Sequence, residues 1–122
     1  MIWLTLRRLR TGSAGARKKA AQELCRDPSP RALNALAAAA LTDPDAEVRR
    51  AAAAALAASE HPDRFEPLLR ALQDKESEVV RAAMWGLKRA TDERVIPALV
   101  RLLQHRNFGV RTSAAQTIDT IR

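Results

Sequence analysis

The chain has 122 residues, 47% of them hydrophobic and 29% charged, with a formal net charge of +7. This profile excludes a disordered chain, and the lack of any long apolar run excludes a membrane-spanning helix. A single cysteine, Cys25, excludes an internal disulfide and gives no reason to invoke an oxidising compartment. With two Phe, two Trp and no Tyr, the core has to be built from Ala, Val and Leu, small side chains that let helices approach closely.

The first segment, Met1-Ile2-Trp3-Leu4-Thr5-Leu6, precedes Arg7, Arg8 and Arg10. A secretory signal has the reverse order, charges first and a longer apolar stretch after. The segment reads as a short amphipathic helix of a cytoplasmic protein, with Trp3 as an apolar lid beside Ile2, Leu6 and Leu9. Ser13 is a candidate N-cap for a second helix carrying Ala16, Ala20 and Leu24 at i, i+4 and i+8. Residues 1–26 hold seven basic side chains against the single acid Glu23, whereas residues 27–122 hold fourteen basic and thirteen acidic. The high charge thus belongs mainly to the first 26 residues, and a basic patch suits nucleic acid, an anionic membrane or an acidic protein.

Asp27-Pro28-Ser29-Pro30 ends this unit, and Ala32 to Leu41 is the next apolar-periodic segment. After a turn with Asp43 and Asp45 as candidate caps comes a helix with Val48, Ala52 and Leu56 inward. His61-Pro62-Asp63 then leads to Phe65–Leu72, the turn at Asp74, and a helix on Val79, Ala83 and Leu87. Thr91-Asp92-Glu93 leads to Val95–Leu103, a turn capped by Asn107, and a helix on Val110, Ala114 and Ile118. The columns Ala16/Val48/Val79/Val110 and Leu24/Leu56/Leu87/Ile118 recur at a spacing of 31 or 32 residues, the signature of a repeat architecture.

The expected organisation is one domain, 1–122, of four αα-hairpins at about 1–26, 28–59, 61–90 and 92–122, each covering its neighbour's apolar face. The last unit offers Leu99, Leu102, Leu103, Ile118 and Ile121 without a polar cap, which leads us to expect further repeats or another domain beyond it, or a partner packed on this end.

The run Leu41, Asp43, Val48, Arg49, Ala52, Leu56, together with Pro67-Leu68-Leu69 and Pro97-Ala98-Leu99, resembles the HEAT-like repeats, including those of phycobilisome lyases. The resemblance covers almost the whole chain and implies a right-handed all-α solenoid of stacked antiparallel hairpins, the α-α superhelix. The first unit departs from the pattern by lacking the turn Asp and the Val. Val80 stands in the Arg column and His105 in the Asp column, so the family's Asp–Arg contacts are expected to be incomplete.

Chemistry is sparse. His61 and His105 lie far apart in turns and make no paired metal motif. Cys25 has no His at helical spacing, and Gly12 and Gly15 do not form a phosphate loop. Asp43/Asp45 and Glu76/Glu78 gather at helix starts, where the helix dipole favours them. No catalytic residue, cofactor, metal or small-molecule substrate is expected.

Two outward columns remain on the second helices: Lys18, Arg50, Arg81, Thr112, and four residues on, Gln22, Ala54, Trp85, Gln116. The resemblance implies that they line the concave side of the solenoid. The candidate partner-binding residues are Lys18, Arg50, Arg81, Trp85, Lys88 and Arg89. A ring among cations is common at binding hot spots and at nucleic-acid stacking surfaces. The plainer alternatives are a solvated face with ion pairs Glu47–Arg50 and Glu78–Arg81, and a Trp85 that packs on a neighbouring repeat or a continuing chain. The expected function is non-enzymatic binding of an acidic or extended protein partner through this groove. Nucleic-acid binding through the basic first hairpin and the ladder is the alternative, and a bilin-lyase-like role rests on the repeat class alone.

Overall fold

A computed structural model describes residues 2–90 and 92–121, without the side chain of Ala90; Thr91, in the last inter-unit punctuation, lies outside it with Met1 and Arg122. Among the described residues there are eight α-helices and no strand: α1 (Ile2–Thr11), α2 (Ala14–Leu24), α3 (Pro30–Thr42), α4 (Ala46–Ala58), α5 (Phe65–Ala71), α6 (Ser77–Ala90), α7 (Ile96–Leu102) and α8 (Phe108–Ile121). They pair as α1–α2, α3–α4, α5–α6 and α7–α8, and α2, α4, α6 and α8 pack in succession as one layer, with α1, α3, α5 and α7 outside. The molecule is an all-α solenoid.

The helix starts follow from capping chemistry. Ser13 Oγ accepts from Ala16 N, Ser29 Oγ from Ala32 N, and Asn107 Oδ1 from Val110 N. Asp45, not Asp43, caps α4, accepting from the amides of Glu47 and Val48. Each cap satisfies a donor the helix cannot. α5 and α7 are only seven residues long and follow one-turn 3-10 segments, Pro62–Arg64 and Glu93–Val95. Pro67 and Pro97 fall within their first turns, the only helical positions where a missing N–H costs nothing.

The inward stripes meet at the centre. Val48, Val79 and Val110 are fully buried, as are Ala52, Ala83 and Ala114. Leu36, Leu56, Leu68, Leu87 and Leu99 are the bulk of the core, each stabilising by roughly 1.5–3 kcal/mol against exposure. Small residues set the spacing of the inner layer. A Cβ at Gly86 in α6 would lie 2.6 Å from Ala57 Cβ and 2.8 Å from Ala57 Cα in α4. Only glycine fits there. In the last hairpin Leu99, Leu102 and Ile118 are buried, while Leu103 and Ile121 are half-buried.

A second tie links successive turns. Arg49 donates through Nε to Asp74 Oδ2 at 2.9 Å and through Nη1 to Asp43 O at 2.9 Å. One guanidinium therefore clamps its own turn and the next. Arg17 does the same between Gly12 O, at 2.8 Å, and Asp43 Oδ2, at 2.9 Å. The Asp–Arg contacts thus run between repeats. In the same register Val80 would face His105, so the two departures from the repeat pattern are one lost rung. His105 keeps the turn by accepting Asn107 N–H at Nδ1, 3.0 Å away.

Candidate protein-interaction surface

The second helices carry the expected columns outward. In the first, Lys18 and Arg50 are half-buried and Arg81 and Thr112 exposed; in the second, Ala54 is half-buried and Gln22, Trp85 and Gln116 exposed. The reason is helical phase: these positions sit two and six residues after the inward Ala/Val column, off the i, i+4, i+8 stripe.

Acids interleave with these cations. Glu47 bonds both Arg50, at 3.0 Å, and Lys18 of the preceding hairpin, at 3.1 Å. Hydrogen bonding from Arg50, then from Lys18, holds its carboxyl at about 2. The Glu78–Arg81 pair also forms, more loosely, at 3.6 Å. Arg81 reaches across to α8, where a Cβ on Gly109 would come within 3.2 Å of its Nη1. Both expected ion pairs, Glu47–Arg50 and Glu78–Arg81, therefore form, and the contact of Lys18 with Glu47 across two hairpins is an addition to them.

Trp85 is about half exposed, at 53%, and the Arg89 guanidinium lies 5.2 Å from its ring centroid. Arg89 is itself fixed through a hydrogen bond from Nη1 to Ala57 O of the preceding hairpin. The result is a preordered ring-and-cation pair with exposed Lys88 beside it. Arg81, Trp85, Lys88 and Arg89 come together on α6, while Lys18 and Arg50 lie on other helices, bound to Glu47.

Three features escape the sequence reading. Trp3 is no lid: the residue is 56% exposed, and the Arg7 guanidinium lies 5.9 Å from its ring centroid. The correction is one of phase, since Ile2, Leu6 and Leu9 turn inward and Trp3 falls one residue outside that stripe. Phe108, at the start of α8, is 73% exposed, with Arg111 5.7 Å from its ring centroid. Finally, a cleft of about 890 Å³ opens between α1 and α3, on the outer side of the layer. Among the described residues, no helix is long and apolar enough to cross a membrane.

Comparisons with known proteins agree with this architecture. A family model described as HEAT repeats matches residues 4–88, and one described as PBS lyase HEAT-like repeat matches residues 79–105. Among curated proteins no relative matches. A chain from the complex of CpcE and CpcF of phycocyanin lyase from Nostoc sp. PCC7120 superposes with a TM-score of 0.78 at 28% identity, over 94% of this chain and 78% of that one. An engineered protein superposes with a TM-score of 0.68 at 25% identity, over 98% of this chain and 62% of that one.

Proposed function

The chain belongs to the HEAT-repeat family, and from that premise we propose that it is a non-enzymatic scaffold, working in the cytoplasm, that binds an acidic or extended segment of another protein along its second-helix face. The observation that carries this is Trp85, an exposed ring held in place by a cation whose own position is fixed by the preceding hairpin. A preordered aromatic loses little conformational freedom on binding, which is why such rings dominate interface energetics. Arg81 and Lys88 flank it and supply charge for a carboxylate-bearing partner. Lys18 and Arg50 extend the surface as a polar rim, both bound to the one carboxylate of Glu47. The Nostoc neighbour is a chain from a two-protein complex, which supports a role carried out by association.

Nucleic acid fits the same face less well. Glu47 and Glu78 sit between the cations, whereas a phosphate track needs unopposed positive charge. The test is affinity capture on immobilised wild-type chain, Trp85→Ala and Arg81→Ala, with quantification of each protein retained. The proposal expects a specific partner lost from both variants. Unchanged capture of every retained protein refutes it. A parallel titration with labelled DNA and RNA that showed tight, salt-sensitive binding would transfer the face to nucleic acid.

A further inference from the structure

We infer that the cleft between α1 and α3 is a second, separate docking site, shaped for an amphipathic helix of a partner protein that bears carboxylates along both edges of an apolar stripe. The cleft encloses about 890 Å³, room for several large side chains. Its floor is apolar and low, made of Leu6 and Leu9 from α1 and Ala35 and Ala39 from α3. Its polar lining is cationic: Arg7 and Arg10 stand on α1, one helical turn apart in line with Trp3, and Arg31 lines the cleft from α3. Among the described residues no ion pair involves Arg7, Arg10 or Arg31.

One acid lines the cleft, Asp43, and it is already bound by Arg17 at 2.9 Å with its side chain only 7% exposed. The lining thus presents uncompensated positive charge around an apolar floor. Charge complementarity selects a carboxylate-bearing occupant, and the floor selects one with an apolar stripe. A helix laid between two helices answers both demands, in the recurrent helix-in-groove mode. A second copy docking symmetrically, cleft on cleft, would bring the same cationic walls against themselves, and a nucleic-acid backbone has no apolar stripe for the floor. The site stands on the opposite side of the layer from Trp85, so either can fail alone.

The test uses the full chain carrying Trp85→Phe, which leaves Trp3 as the sole indole. The probe is a synthetic peptide with Leu at helical spacing and Glu elsewhere, compared with the same peptide carrying Lys for Glu and with an oligothymidylate. The expected result is a saturable shift in Trp3 emission with the Glu peptide, with dissociation constant of about micromolar order. Arg7→Glu and Arg31→Glu should each weaken it by about tenfold or more, with helical circular dichroism unchanged. Arg70→Glu, an exposed charge reversal on α5, should leave it within about twofold. No saturable shift, equal binding of the Lys peptide, or an equal loss from Arg70→Glu overturns the inference. Tighter binding of the oligothymidylate with the same dependence on Arg31 also overturns it.

Discussion

Replacing Arg49 with Met keeps the aliphatic stem and removes the guanidinium that joins the second turn to the third. In the native chain that group donates to both oxygens of Asp74, at 2.9 and 3.4 Å, and to the carbonyls of Asp43 and Pro44, at 2.9 and 3.3 Å. The two side chains are only 8% and 9% exposed, so solvent screens the pair little. Its removal leaves a nearly dry carboxylate whose remaining hydrogen bond among the described residues is from the Glu76 amide, at 2.8 Å. Breaking a buried pair in this way costs about 3–5 kcal/mol. At this chain length that is a drop in melting temperature of about 10–30 °C. Urea unfolding followed by circular dichroism gives the free energy, with the m-value checking that the repeats still unfold together. Adding Asp74→Asn, which keeps a cap acceptor but removes the stranded charge, should return about 1–3 kcal/mol. A cost below about 1 kcal/mol for Arg49→Met, the range of an exposed pair, refutes the claim that the turns are clamped in series.

Gly86→Val should destabilise by about 2 kcal/mol or more, because α4 and α6 must separate around a Cβ that would sit 2.6 Å from Ala57 Cβ; thermal melts check it, and Ala57→Gly should rescue it only in part, since Ala57 Cα is itself 2.8 Å away. Val80→Arg should cost about 2 kcal/mol or more by burying a cation at a fully buried site. Combining it with His105→Asp should restore the missing rung, read in a double-mutant cycle as a favourable coupling of about 1 kcal/mol or more. Acid should destabilise the fold through carboxylates whose folded-state pKa is depressed. Hydrogen bonding from Arg50 and Lys18 holds Glu47 at about 2. Burial pushes Asp43 up, but hydrogen bonds from Arg17 and the Asp45 amide outweigh it and the net shift is downward. Their contribution is complete above the ordinary carboxylate range and fades as pH falls from about 4.5 toward 2. Melting temperature against pH should decline in that window, and less in Glu47→Gln.

The architecture was legible because it rests on a pattern repeated in register. Val48, Val79 and Val110, with the alanines four residues on, mark the buried stripe in any single unit, and the 31-residue recurrence marks the stacking. The outward columns follow by subtraction, and the exposure of Arg81 and Trp85 bears that out. Contacts between non-equivalent positions were not legible. Nothing local predicts that Lys18 reaches Glu47 of the next hairpin, or that Arg89 reaches back to Ala57 O. Assigning Val80 and His105 to one rung needed the register of the Arg–Asp clamps, Arg17 to Asp43 and Arg49 to Asp74. The exposure of Trp3 was readable and missed: Trp3, Arg7 and Arg10 are spaced i, i+4, i+7, a face of their own beside Ile2, Leu6 and Leu9. The cleft itself arises from the distance between α1 and α3, which no sequence pattern encodes.

The most direct measurement is site-specific photocrosslinking in the cell that makes this protein. A photoreactive residue at position 85 is compared with one at position 70, on the outer helix α5. The account predicts a discrete protein adduct from position 85 that disappears with Arg81→Ala and is absent from position 70. Adducts from position 70 alone, or crosslinking from 85 only to nucleic acid, would contradict it.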